Sequence, residues 1–452
     1  MVGHRRALAL LVALVSAPAL SGCEPSAPSV ASDAGRPASD AAARSDAAIP
    51  RTDAGHCAID PLPADPHSAD RAACSFAAGA TPESSLGIDA ALAARLPIDH
   101  IVIVMQENRS FDHTFATYEG ELIDPLPATF TNPDDSGTAV APFHLDSHCL
   151  PHDPPHQWDA MHASWNGGAM DGFVRAADDA TSDGHYVMGY YDAQDRPFYD
   201  WLAHTFAISD RHFGDALGGT WSNRAFLYTG SSHGIHSTGE LTIPDARTVF
   251  DQLDEAGVSW GVFTSGNPRQ DLLGWDRTHA GVASFNAFLA HLADGTLPAV
   301  SFVDPSGAED EHPANDIGGG EQWSRRIYEG AIASPLWPSL VIFLTYDESG
   351  GLFDHVPPPE ACLPDATLTE FDRLGIRVPL FVVSPWVRPG RVGHETSSHA
   401  SILRFVQLRF GLPALSARDA NAGALLDFFD FCQPSFPVGP ASPAAFGLEG
   451  CP

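Results

Sequence analysis

Two short apolar runs, far apart along the chain, constrain what it can fold into more than any other feature. Ile101-Val102-Ile103-Val104-Met105 and Leu340-Val341-Ile342-Phe343-Leu344-Thr345-Tyr346 show no alternation of apolar and polar positions. Both are rich in β-branched or aromatic residues, and both are shorter than an ordinary helix. Such runs predict strands covered on both faces, the kind found in parallel sheets. Each ends abruptly in polar residues: Gln106, Glu107, Asn108 and Arg109 after the first, Asp347, Glu348 and Ser349 after the second. In open parallel sheets, ligands bind at the carboxyl ends of the strands. If the two strands are parallel neighbours, Glu107 and Asn108 face Asp347 and Glu348. Three carboxylates so close repel unless a cation sits among them, and oxygen donors of this kind suit a hard divalent cation. The plainer reading of residues 106–109 is a polar loop capping the next helix.

Further strands are expected at 297–305, leading to Asp310, Glu311, His312 and Pro313, and at 378–383, leading to Ser384 and Pro385. Residues 397–405 open a helix with a hydroxyl cap. Strands alternating with helices predict an α/β chain, a three-layer α/β/α sandwich on a mostly parallel sheet. The 452 residues are 44% hydrophobic and 18% charged, a globular composition. A formal net charge of −33 argues against nucleic acid, or an anionic membrane surface, as the main partner.

The organisation along the chain is legible from its first residues. His4, Arg5 and Arg6 precede an apolar stretch at 7–20, too short to span a bilayer comfortably, so residues 1–22 are expected to be a signal peptide. Leu20-Ser21-Gly22-Cys23 resembles the bacterial lipoprotein cleavage box, with Cys23 lipidated and anchoring an exported protein at a membrane; an ordinary secretory signal is the alternative. Residues 23–56, dominated by Ala, Ser, Asp and Pro, are expected to be a disordered tether, leaving 57–452 as the folded domain. Apart from Cys23, six cysteines remain: Cys57, Cys74, Cys149, Cys362, Cys432 and Cys451. In an exported chain these suggest up to three disulfides. Proximity in sequence suggests Cys57 with Cys74 and Cys432 with Cys451.

Two further stretches carry candidate chemistry. His144, His148, His152, His156 and His162 crowd a proline-containing segment without the rigid spacing of a metal site, which reads as a loop roofing a pocket. Gly218-Gly219-Thr220 looks like a tight turn into a helix. Thr220 there is either a nucleophile beside an anion site or simply an N-cap.

Taken together, Glu107-Asn108-Arg109-Ser110-Phe111-Asp112-His113, the stretches 165–173 and 210–224, His312-Pro313, the stretch 345–356, Ser384-Pro385-Trp386-Val387 and Ser401-Ile402-Leu403-Arg404-Phe405 resemble the bacterial and plant phosphoesterase family that contains phospholipases C and acid phosphatases, within the alkaline-phosphatase-like fold. The pieces run in the family's order, from about residue 96 to 410. The resemblance implies a divalent metal held by Glu107, Asn108, Asp347 and Glu348. It puts Thr220 in the place of a nucleophile that also contacts the metal, and His312 and His355 near the phosphate, with His399 a looser match. Ser349 departs from the His that many members carry there, which bears on phosphate or leaving-group contacts rather than on the metal. The activity implied is metal-dependent hydrolysis of phosphate esters, phospholipid or small phosphomonoester, through a covalent phospho-threonine. The rival expectation is a catalytically degenerate member acting as a surface-anchored binding lipoprotein. A sulfatase-like reading lacks a Cys or Ser in a Cys/Ser-x-Pro-x-Arg setting.

Overall fold

The computed structural model describes residues 57, 65–181, 183–236, 242–443 and 447–451. The expected signal peptide, Cys23 and the tether up to residue 56 lie outside the described residues. The main sheet has eight strands, labelled here in chain order: β1 (His100–Gln106), β2 (Ala207–Ser209), β3 (Trp260–Thr264), β4 (Val282–Ser284), β5 (Val300–Asp304), β6 (Leu340–Tyr346), β7 (Leu380–Val383) and β8 (Arg391–Gly393). Their spatial order is β8-β2-β7-β6-β1-β5-β3-β4. All share one direction except β7, which is antiparallel to both its neighbours. This is the three-layer α/β arrangement expected, with one strand reversed.

The two apolar runs are adjacent at the centre of the sheet. Every residue of β6, and every residue of β1 after His100, is buried, as a strand covered on both faces requires. Their parallel register pairs His100 with Leu340 and Gln106 with Tyr346. The next residue on each strand is therefore Glu107 on one side and Asp347 on the other. The Asp347 N–H extends the ladder by donating to the Gln106 carbonyl at 3.1 Å.

Four helices matter for the site: α1 (Phe111–Phe115), α2 (Thr220–Thr229), α3 (Ile317–Ala333) and α4 (His399–Phe410). Ser110 caps α1 by accepting from the His113 N–H, so a cap for the next helix exists just after residues 106–109 and not within them. The N-cap of α2 is Gly219, which makes Thr220 the first helical residue and corrects the N-cap reading of that threonine. Ser398 caps α4 in a capping box with Ser401.

The disulfides are Cys57–Cys432, Cys74–Cys362 and Cys149–Cys451. This corrects the local pairing expected from sequence proximity. The bridges join cysteines separated by 375, 288 and 302 residues, brought together by tertiary structure alone. Among the described residues no helix is long and apolar enough to cross a membrane.

Candidate active site

Because β1 and β6 end in register, their polar extensions interlock. The Asn108 N–H donates to Asp347 Oδ1 at 3.1 Å. Asn108 adopts φ +62°, a left-handed conformation that asparagine tolerates better than most side chains. After β6 the chain escapes through Gly350 and Gly351, both at positive φ. A Cβ on Gly350 would sit 2.3 Å from the Asn108 carbonyl, so only glycine lets the two loops cross here.

The hub of the cluster is Arg224 on α2, fully buried. Its guanidinium donates to Asp347 Oδ2 (3.1 Å), Asp304 Oδ1 at the end of β5 (2.8 Å), Glu107 Oε1 (3.0 Å) and the Met105 carbonyl (3.1 Å). A second guanidinium, Arg269, lies 2.8 Å from Glu107 and 2.7 Å from Asp310. Around this point Glu107, Asp304, Asp310, Asp347 and Glu348 bring five carboxylates against two guanidiniums. With only the protein's own charges present, burial and then the Asp347 charge push the Glu107 carboxyl up to about 8, the two arginines offsetting only part of this. Burial, followed by the charge of Asp347, drives Glu348 well above the carboxylate range. Asn108 Oδ1 and Glu348 Oε1 are buried with no hydrogen-bond partner, although buried oxygens are ordinarily satisfied. Surplus negative charge, and orphaned oxygens drawn from both strand ends, fit a hard divalent cation. Glu107, Asn108, Asp347 and Glu348 are the residues that could hold it.

Around these four the remaining predicted residues fall into two groups. Thr220 is buried and stands one turn before Arg224, on the same side of α2. The ring of His312 is 5.5 Å from that of His156, and His156 in turn is 3.9 Å from Glu348 Oε1. His355 belongs to a second cluster instead. Its Nδ1 lies 2.6 Å from Asp112 Oδ2, and Arg377 bridges Asp112 and Asp354. Although burial opposes it, the hydrogen bond and charge of Asp112 hold the His355 imidazole above its ordinary pKa. Among the described residues no hydrogen bond or ion pair joins His355 to the four oxygen donors. His399, the looser match, is fully buried and pushed down by desolvation. The ring donates from Nε2 to the Asp347 carbonyl at 2.8 Å, bracing that residue through its backbone. Ser349 is buried with its hydroxyl 3.9 Å from the Met161 sulfur.

Two participants carry little signal in the sequence. Arg224 closes the 210–224 stretch, and its position four residues after Thr220 on one helix is the available signal. His156 belongs to the segment expected to roof a pocket. Its Nδ1–H donates to the Pro154 carbonyl at 2.7 Å, which leaves Nε2 as an acceptor facing the Asn108 amide at 3.3 Å. That contact turns Asn108 Oδ1 free.

Comparison with known proteins gives the family. The Phosphoesterase family matches residues 98–413. Phospholipase C A of Mycobacterium tuberculosis is 32% identical over 415 residues, spanning 75% of this chain and 78% of that protein. Non-specific phospholipase C1 of Arabidopsis thaliana is 31% identical over 378 residues, spanning 74% and 71%. A solved alkaline phosphatase superfamily protein from Vibrio parahaemolyticus is 10% identical, covering 73% of this chain and 69% of that one at a TM-score of 0.37, a likeness that carries no argument of its own. From the family match and the identity to these relatives, the chain belongs to the Phosphoesterase family, hydrolases of phosphoric ester bonds.

Proposed function

We propose that this protein hydrolyses phosphate esters by way of a phospho-threonine at Thr220, with a divalent cation held by Glu107, Asn108, Asp347 and Glu348. The observation that carries the reading is the register of β1 and β6, which sets Glu107 beside Asp347 with two buried oxygens left unsatisfied. When bound, the cation supplies positive charge for the phosphoryl oxygens and lowers the pKa of a hydroxyl beside it. The Thr220 hydroxyl gives up its proton to solvent, and Oγ1 forms a bond to phosphorus while the bond to the departing alcohol breaks. The start of α2, where Gly219 offers no capping side chain, turns its positive end toward the phosphoryl group. The departing alcohol takes a proton from a histidine, for which His312 and His355 are the candidates. Water then attacks the phospho-threonine, releasing phosphate or a phosphorylated head group and restoring the hydroxyl. Arg224 keeps the acidic side chains in place throughout.

The phospholipase C relatives favour a phospholipid as substrate, and Cys23 as a lipid anchor would keep the enzyme at a membrane. Turnover of phosphatidylcholine against 4-nitrophenyl phosphate, before and after chelation, separates the lipid from the monoester. Thr220→Ala is expected to abolish turnover while the circular dichroism spectrum stays that of the parent. Parental turnover in that variant rules out the nucleophile.

A further inference from the structure

Two loops bring a histidine each toward the acidic cluster: 147–156 bears His156 and 310–316 bears His312. Their outer ends meet at one place, on residues 449–451. Glu449 Oε2 accepts from the His148 N–H at 2.6 Å, and Oε1 from the Ser147 hydroxyl at 3.1 Å. Asp316 Oδ2 accepts from the N–H groups of Glu449 and Gly450, each at 2.8 Å. With Oδ1 the same Asp316 caps α3 by accepting from the Gly318 N–H at 2.9 Å. The Ile317 N–H reaches the His148 carbonyl at 3.4 Å, and the Cys149–Cys451 disulfide closes the knot covalently.

The knot is coupled to the site through stiff chain. Between Cys149 and His156 stand buried Leu150 and three prolines, Pro151, Pro154 and Pro155. Proline fixes φ at these three positions, which leaves fewer backbone rotations to absorb a displacement at Cys149. At the far end the Pro155 carbonyl passes so close to Gly351 that a Cβ there would sit 2.6 Å away. His156 then holds the Asn108 amide with its oxygen free.

We propose that the C-terminal segment 449–451 is a positioning element of the active site: it pins the two histidine-bearing loops together and thereby fixes His156 against Asn108 and Glu348. The inference rests on the reading of Asn108 and Glu348 as cation ligands. Partners that orient metal ligands are typically worth roughly 10- to 100-fold in affinity or activity, and the segment acts on such a partner at one remove.

The test uses full-length protein freed of metal and titrated calorimetrically with Mn²⁺ and with Zn²⁺. Glu449→Gln, and separately Cys149→Ser with Cys451→Ser, are expected to weaken binding about 10-fold and to speed backbone amide exchange across 150–156. Cys57→Ser with Cys432→Ser is the control. It removes a bridge of comparable span, 375 residues against 302, attached to neither loop, and is expected to keep parental affinity. Parental affinity and exchange in the tail variants overturn the proposal, as does an equal loss in the control. Should the parent take up neither metal, the functional reading itself fails; amide exchange, which needs no metal, still decides whether the segment pins the loops. If the double cysteine variant does not fold, Glu449→Gln carries the test alone.

Discussion

Replacing Arg224 by methionine is the sharpest probe of how this site is held. The side chains are similar in volume, so packing changes little and charge changes completely. Arg224 makes four hydrogen bonds, three of them to the carboxylates of Glu107, Asp304 and Asp347, and has no solvent exposure. Hydrogen bonds to charged groups contribute about 1.5–3 kcal/mol apiece, but three that share one guanidinium do not add. Removing one partner of a buried ion pair costs about 3–5 kcal/mol, because the other charge stays buried and unpaired. We therefore expect Arg224→Met to lose about 4 kcal/mol, a large share of the roughly 5–15 kcal/mol that holds a folded protein together. Arg224→Lys keeps the charge but cannot span three carboxylates, and should lose about half as much. Urea unfolding followed by tryptophan fluorescence measures both, first in chelator and then in saturating Mn²⁺. In Mn²⁺ the deficit of the Met variant should shrink, since the cation restores positive charge among the same carboxylates. A loss under about 1 kcal/mol in chelator, or a Lys variant indistinguishable from the parent, would show that Arg224 is not what holds the cluster.

Three other perturbations follow from the same geometry. Glu107 has its carboxyl raised from 4.5 to about 8. Between those values the folded, metal-free protein keeps a proton that the unfolded chain has released. Its stability therefore falls as pH rises through that window, by at most about 5 kcal/mol, and Glu107→Gln should flatten the slope; an unchanged slope in chelated protein refutes the assignment. Gly350→Ala drives a Cβ against the Asn108 carbonyl and adds the strain of a positive φ, so a loss of about 2 kcal/mol with weaker metal uptake is expected in thermal melts and titration. Cys23→Ala should release the protein from the membrane fraction into the soluble fraction on cell breakage; retention at the membrane removes the lipid-anchor proposal.

How far the sequence foretold all this depends on the kind of force involved. β1 and β6 were legible because burial on both faces leaves an uninterrupted apolar run, and their polar ends were legible because buried charge is rare. The direction of β7 was not. Residues 380–383 are apolar whichever way they run, and only the paths of the flanking loops set the reversal. The disulfides were misjudged for a related reason: Cys57 and Cys432 are brought together by tertiary structure, which leaves no local trace. Thr220 was placed correctly at a helix start but misread as a possible cap, because Gly219 can occupy that position without any side chain. Arg224 and His156 escaped because their partners lie on other elements, and a lone Arg or His carries no sign of which carboxylate or amide it will meet.

Asn108 shows how a single position can be bound by two independent demands. Its left-handed backbone excludes the branched and bulky side chains, which leaves glycine, aspartate and asparagine as the comfortable occupants. Glycine would bring no oxygen. Aspartate would add a sixth anion to a crowd that two guanidiniums already fail to neutralise. Asparagine alone answers both conformation and charge, so among all the residues at this sheet edge it should tolerate replacement least, even by its nearest chemical kin.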